Sequence, residues 1–344
     1  MSKKIKLGLV GYGYWGPNLL RNFIQLAGVE VVMVCDLNEA QLARVKKRYP
    51  ALNITTDYQV LLASEINAVV IATPLVSHFK LAQAALLANK HVLVEKPFVK
   101  TSKQAERLTR LAKQKKLVLM VDHTFEYTAA VNKIKQLIKK GELGQIYTID
   151  MIRVNLGLFQ QDHNVIWDLA YHDVSILLYI LGKMPKSVIA LGQDFIQPGI
   201  EDSAYVIFRF PDKILASLHL SWLDPYKIRK ATFVGSKKML VYDDLEPTEK
   251  IKILDKGVLV KSKQLPQMPY YESFAEFSYL YRRGDVYIPR LEQKEPLSLV
   301  AEHFITTIKQ DKKPRSGGEE GLRVTKILES VERSLKNSGR EVEI

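Results

Sequence analysis

The sequence predicts an α/β domain on a doubly wound parallel sheet, followed by an α+β domain with a large, mostly antiparallel sheet. Three observations lead there. Through the first third of the 344 residues, short apolar runs alternate with amphipathic stretches, the rhythm of repeated βα units. Those runs are continuous rather than alternating, as a sheet covered on both faces requires. After about Asp122, several strand-like runs succeed one another without helices between them, which suits antiparallel pairing. A chain this long exceeds what one hydrophobic core usually organises. Domains are therefore expected at residues 1–122 and 123–295, with helices in 296–344 packing back on the first.

The elements follow in order. Ile5 to Val10 reads as a strand, Pro17 to Leu26 as a helix and Glu30 to Cys35 as a strand. Glu39 to Arg48 has helical periodicity, and Tyr58 to Leu62 starts a shorter helix. Ala68 to Ala72 is a strand, His78 to Ala88 a helix and His91 to Val94 a strand. Ser102 to Lys115 and Leu117 to Val121 add a last helix and strand. In the second domain, a basic amphipathic helix, Ala129 to Lys140, stops at Gly141, and a strand runs from Ile146 to Val154. Asp168 to Leu181 is an apolar, buried helix closed by Gly182. Strands are then expected at Ser187–Gly192, Ala204–Phe210, Ile214–Trp222, Lys230–Gly235, Lys238–Tyr242 and Lys250–Leu254. Val258 to Arg290 mixes prolines, aromatics and charges and supports no assignment. Helices over Leu297–Lys309 and Glu319–Lys336 close the chain, split by Pro314 and Gly317-Gly318.

Composition narrows the function classes. Fifty Lys and Arg against 37 Asp and Glu give a net charge of +13. The basic residues are scattered over helix-like stretches, with no Arg-rich arm and no aromatic-basic stripe. A solvated basic surface is the first reading, an anionic small substrate drawn by that field the second, and nucleic acid the last. The single cysteine, Cys35, excludes an internal disulfide and fits a reducing compartment; its apolar run marks a core thiol rather than a nucleophile. No stretch approaches the roughly 20 apolar residues of a membrane helix, and the short apolar run near the start is too brief for a signal-peptide core. The expectation is a cytoplasmic protein with no membrane, nucleic-acid or metal partner.

Gly11-Tyr12-Gly13-Tyr14-Trp15-Gly16 follows the first strand directly and matches G-x-G-x-x-G. The first glycine permits the tight turn, the second lets backbone approach a pyrophosphate, and the third lets helix pack close to strand. The helix N-terminus then offers N–H groups to the phosphates. Asp36 ends the second strand 20 residues after Gly16, where a carboxylate can accept ribose hydroxyls and repel a 2′-phosphate, so NAD is favoured over NADP. Its alternative is to cap the next helix before Asn38. Thr73 and Pro74 follow the next strand at the sheet's carboxyl edge, with His78 beyond them on the cofactor side or merely starting its helix. Glu95-Lys96-Pro97 ends the strand after that. Such a tripeptide alone is more often a solvated turn, but here it faces the cofactor edge. Asp168 and His172 are spaced i, i+4 and share a helix face. Histidine suits the base of a secondary-alcohol oxidation, although Asp/His pairs at this spacing are also common on helix surfaces. Asp173 is a second candidate acid, about 100° around the helix from His172.

With these motifs together the chain resembles the Gfo/Idh/MocA oxidoreductase family across nearly its whole length. Gly11 to Asn18 and Val165 to Ala170 further resemble a branch of nucleotide-sugar dehydrogenases of surface-polysaccharide and lipid A pathways. The resemblance implies a Rossmann domain binding NAD through Gly11, Gly13, Tyr14, Trp15, Gly16, Asp36, Thr73, Pro74, His78, Glu95 and Lys96. It implies Lys96 at the reacting hydroxyl, His172 as proton acceptor and Asp168 as the supporting or substrate-binding acid. Where many members carry Asn and Arg after the fifth main strand, this chain reads Asp122-His123-Thr124-Phe125-Glu126-Tyr127, so His123 and Tyr127 are either substitute substrate contacts or structural groups. Arg153, Asn155 and Tyr171 lie on segments expected to border the same cleft, with strand alternation leaving Arg153 on either sheet face. The implied activity is NAD-dependent oxidation of a ring hydroxyl, C3, on a nucleotide sugar such as a UDP-N-acetylhexosamine, by a homodimer or homotetramer. Alternatives are a free polyol or inositol dehydrogenase, the reverse keto-sugar reductase, and a noncatalytic NAD-binding protein.

Overall fold

The computed structural model describes residues 4–258 and 281–344, which divide into two compact units. Unit 1 comprises residues up to Thr128 together with Gln293–Glu329, and unit 2 comprises Ala129–Glu292 and Ser330–Ile344.

Unit 1 alternates strand and helix: β1 (Ile5–Val10), α1 (Gly16–Gln25), β2 (Val29–Cys35), α2 (Glu39–Arg48), β3 (Asn53–Thr55), α3 (Tyr58–Ala63), β4 (Ala68–Ile71), α4 (Leu75–Leu87), β5 (His91–Val94), α5 (Ser102–Gln114), β6 (Leu119–Val121) and a 3₁₀ turn at Thr124–Tyr127. Its six strands are all parallel, in the order β3-β2-β1-β4-β5-β6. The order reverses between β1 and β4, where such sheets open a crevice at their carboxyl ends. The short β3 has only three residues and escapes a periodicity argument. The core runs through Leu7, Leu9, Leu20, Phe23, Val70 and Leu93, and includes Val300 and Phe304 of α8 (Pro296–Gln310). Phe23 and Phe304 meet edge to face at 6.3 Å, so this late helix completes the packing around α1.

Unit 2 contains α6 (Ala129–Lys139), β7 (Ile146–Val154), a π-helical turn (Ile166–Ala170) running into α7 (Tyr171–Leu181), and strands β8 (Ser187–Gln193), β9 (Ser203–Arg209), β10 (Leu215–Ser221), β11 (Ile228–Gly235), β12 (Met239–Asp243), β13 (Ile251–Val258) and β14 (Tyr281–Tyr287). Helix α9 (Gly318–Lys336) spans the unit boundary, and β15 (Val342–Glu343) adds an edge. The nine strands order as β14-β13-β12-β11-β7-β10-β9-β8-β15. All pairings are antiparallel except β7 with β10. The exception follows from topology: α7 carries the chain from β7 to β8, and the β8–β9–β10 meander returns its third strand beside β7. Strand β14 occupies part of the stretch that composition left unassigned, whose residues 259–280 lie outside the described ones. Residues facing one side of β9 (Ala204, Val206, Phe208) are buried and those facing the other (Tyr205, Ile207, Arg209) are exposed, the alternation of a half-covered sheet.

Candidate active site

In unit 1 the fingerprint loop is shaped for close backbone approach. Gly11 has φ +93°, and a Cβ there would lie 2.5 Å from the Ala72 carbonyl oxygen; a Cβ on Gly16 would collide with the Gly11 carbonyl oxygen. Gly13 has nothing within 4 Å of an added Cβ, so its neighbourhood is open beside the N-terminus of α1. Asp36 ties this loop to the second strand: its Oδ2 accepts the Tyr12 N–H at 2.6 Å and its Oδ1 the Asn38 N–H at 2.8 Å. Asn38, not Asp36, caps α2, accepting from the Ala40 N–H at 2.9 Å. Tyr14 and Trp15 stand exposed on the loop, edge to face at 5.7 Å. Cradle, helix N-terminus and carboxylate together fit the pyrophosphate and ribose of a dinucleotide. Cys35 is buried, and burial pushes its thiol up to about 11, as a core thiol rather than a nucleophile.

The next two strand ends are joined by a histidine. His78 is 1% exposed; its Nε2 lies 2.7 Å from the Thr73 carbonyl oxygen and its Nδ1 2.8 Å from that of Pro97. Burial pushes His78 below its ordinary value, against the pull of these carbonyls. The ring therefore links the Thr73-Pro74 and Lys96-Pro97 loops and is enclosed by them. Thr73 Oγ1 also meets Ser77 Oγ at 2.7 Å. Lys96 is half-buried and donates its backbone N–H to Glu95 Oε2 at 3.1 Å.

His123 and Tyr127, expected among the substrate contacts, are buried. His123 Nδ1 meets Glu126 Oε1 at 2.8 Å, and the Tyr127 hydroxyl meets Ser316 Oγ at 3.2 Å. The Arg315 guanidinium lies 4.6 Å from the Tyr127 ring centroid and donates to the Glu126 carbonyl oxygen at 2.9 Å. These groups serve the packing of the 3₁₀ turn against the segment before α9.

Unit 2 carries the Asp168/His172 pair. Asp168 and His172 are both half-buried, whereas Trp167, Ala170, Tyr171 and Asp173 around them are buried. Asp168 lies in the π turn, a local irregularity that often marks functional positions. Its Oδ2 accepts the indole N–H of Trp222 at 3.1 Å. Trp222 is buried and packs edge to face on Phe159 at 5.8 Å. Asp173 resolves differently from Asp168. Its carboxylate is 2% exposed and takes a bidentate bond from Arg153, from Nε at 3.0 Å and Nη2 at 2.6 Å. Asp173 is thereby committed to Arg153, and Arg153 meets a carboxylate of its own chain. Arg153 and Tyr171 are buried, and Asn155 is half-exposed just after β7, its N–H bonded to the Ser221 carbonyl oxygen at 3.1 Å.

Two groups carry weaker signals in the sequence. Trp222 ends a strand pattern, and nothing local signals a bond to a residue 54 positions away. Asp122 stands where many members of the family have Asn, and strand order alone puts it one residue past β6, beside Glu95 one residue past β5.

Family models match a stretch of each unit. The model for the NAD-binding Rossmann fold of the Gfo/Idh/MocA oxidoreductase family matches residues 5–123, and that for a Gfo/Idh/MocA C-terminal domain matches residues 131–241. An uncharacterised oxidoreductase of Escherichia coli (strain K12), YdgJ, is 30% identical over 262 residues, 72% of this chain and 74% of its own. A myo-inositol 2-dehydrogenase of Thermotoga maritima is 22% identical over 96% of both chains. A UDP-N-acetylglucosamine 3-dehydrogenase of Acidithiobacillus ferrooxidans is 29% identical over 199 residues, 55% of this chain and 58% of its own. A solved structure of that enzyme superposes with a TM-score of 0.80 at 22% identity, covering 97% of this chain and 99% of the other. With the dinucleotide cradle, the lysine at a strand end and the Asp/His helix all present, the chain belongs to the Gfo/Idh/MocA oxidoreductase family.

Proposed function

We propose that the protein is an NAD-dependent dehydrogenase oxidising a ring secondary alcohol, at C3, of a nucleotide sugar of the UDP-N-acetylhexosamine kind. The observation that carries this reading is the half-buried Asp168/His172 pair on a largely buried helix, flanked by the buried Trp167, Ala170, Tyr171 and Asp173. Leaving two polar, ionisable groups at the open edge of such a helix suits proton transfer to a ligand. The UDP-N-acetylglucosamine 3-dehydrogenase relative supports the choice of substrate class. Asp36 supports NAD over NADP: a carboxylate held there by two backbone N–H groups suits ribose hydroxyls and repels a 2′-phosphate.

When bound, NAD supplies the hydride acceptor. In this reading Lys96 donates a hydrogen bond to the reacting oxygen and steadies the charge that develops on it. His172 accepts the hydroxyl proton. Asp168, oriented by the Trp222 indole, holds the imidazole or a sugar hydroxyl. Glu95 borders the nicotinamide ribose, and Asn155 is the half-exposed candidate for a sugar contact. The same groups serve keto-sugar reduction. Oxidation of a free inositol is the second reading, favoured by the end-to-end match to the myo-inositol 2-dehydrogenase.

The test is a panel of nucleotide sugars and inositols followed at the NADH absorbance, with a second keto substrate added to regenerate bound NAD⁺. Turnover of UDP-sugars without inositols is expected; inositols alone would establish the second reading. Lys96→Ala should lower kcat by about 10²- to 10³-fold at saturating NAD. Survival of turnover in that variant would remove Lys96 from the mechanism.

A further inference from the structure

Glu95 and Asp122 are the first residues beyond β5 and β6, neighbouring parallel strands in which Val94 lies opposite Val121. The ladder continues one residue further, because the Asp122 N–H donates to the Val94 carbonyl oxygen at 2.9 Å. Both carboxyls therefore leave the sheet at one level and, by strand alternation, on one face. Both are buried, with 7% and 2% of their surface exposed. Glu95 Oε2 accepts the Lys96 N–H, and Asp122 Oδ1 accepts the Thr124 hydroxyl at 2.6 Å. Glu95 Oε1, by contrast, has no donor among the described residues. A buried carboxylate oxygen left without a donor is costly, and so are two ionised carboxylates side by side out of water. One proton between the pair removes both costs.

We propose that Glu95 and Asp122 share a single proton at neutral pH, Glu95 carrying it and Asp122 accepting it, as a positioning pair that leaves one negative charge beside Lys96. The directions of titration agree. Glu95 is pushed well above its ordinary value, first by burial and then by the Asp122 charge, with Lys96 opposing. Asp122 is pushed up by burial, while the Thr124 hydroxyl, His123 and the bond from Glu95 oppose. Among the neighbouring ionisable groups, His123 meets Glu126, Arg315 donates to the Glu126 carbonyl oxygen, Tyr127 meets Ser316, and His78 lies between the Thr73 and Pro97 carbonyl oxygens. The consequence for turnover rests on the reaction proposed above. Loss of the shared proton would place a second negative charge beside the Lys96 ammonium and draw it from the reacting oxygen, so the rate falls on the alkaline side.

The proton itself is tested without substrate or cofactor, so its failure and that of the proposed reaction are separable. An infrared pH titration of the full-length protein should show the carbonyl stretch of a protonated carboxyl at neutral pH, absent from Glu95→Gln. In Asp122→Asn its midpoint should fall by about one pH unit or more, because the neighbouring like charge is gone; Asp122→Ser carries the same comparison should the Asn variant not fold. No band in the unsubstituted protein, a band that survives Glu95→Gln, or a midpoint unmoved by loss of Asp122 would each overturn the assignment.

Discussion

At the scale of single residues, environment more than identity separates the roles. Asp168 and Asp173 are five positions apart in one apolar segment, yet only Asp168 keeps an open edge, because Asp173 is enclosed with Arg153. His78 and His172 differ in the same way, one ring spanning two carbonyls in the interior and the other half-exposed. Glu95 yields a prediction in stability. Its folded-state value is raised, so the folded protein keeps a proton that the unfolded chain releases above about pH 4.3. The stabilisation from that proton is complete below this pH and is lost as pH rises towards the folded value. The slope should approach about −1.4 kcal/mol per pH unit for one full proton. Urea unfolding across a pH series should show it, and Asp122→Asn should flatten it over the same range.

At the scale of elements, helix α7 is held to β7 by the buried Arg153–Asp173 pair, on the helix that carries His172. Arg153→Met leaves a carboxylate buried without its partner, a loss expected to cost about 3–5 kcal/mol. Replacing Asp173 by Leu in the same chain should recover most of it, since a buried ion pair and an apolar pair of similar volume are often nearly equivalent. Chemical unfolding of the two single variants and the double variant measures this directly. The helix was legible from its apolar run and the closing Gly182, but its beginning was not. The first turn is π-helical, and the bond from Trp222 to Asp168 comes from a strand end distant in sequence. Similarly, β15 has two residues and acquires its structure only by pairing with β8.

At the scale of the whole molecule, the nine-stranded sheet presents Ile152, Leu191, Tyr205, Ile207 and Leu215 on its outer face. Tyr205 and His219 stack there at 4.4 Å across the β9–β10 pair. A homodimer or homotetramer assembled through this face is the arrangement expected of the protein. Ile207→Lys should then lower the mass measured by light scattering in solution while NAD binding is retained; an unchanged mass would exclude this face from assembly. What the sequence by itself determined was the architecture and the chemistry on offer: five βα-patterned strands, a glycine fingerprint with its Asp36, a lysine at a strand end and an acid and histidine one turn apart. These are local patterns, set by backbone periodicity and short motifs. Only the tertiary structure decided which polar groups are spent on the protein itself. His78, His123, Tyr127, Arg153 and Asp173 have partners 3 to 189 residues away, and burial by distant segments has no signature in local spacing. For the same physical reason the Glu95–Asp122 pair emerged from strand register, which places two carboxyls 27 residues apart side by side.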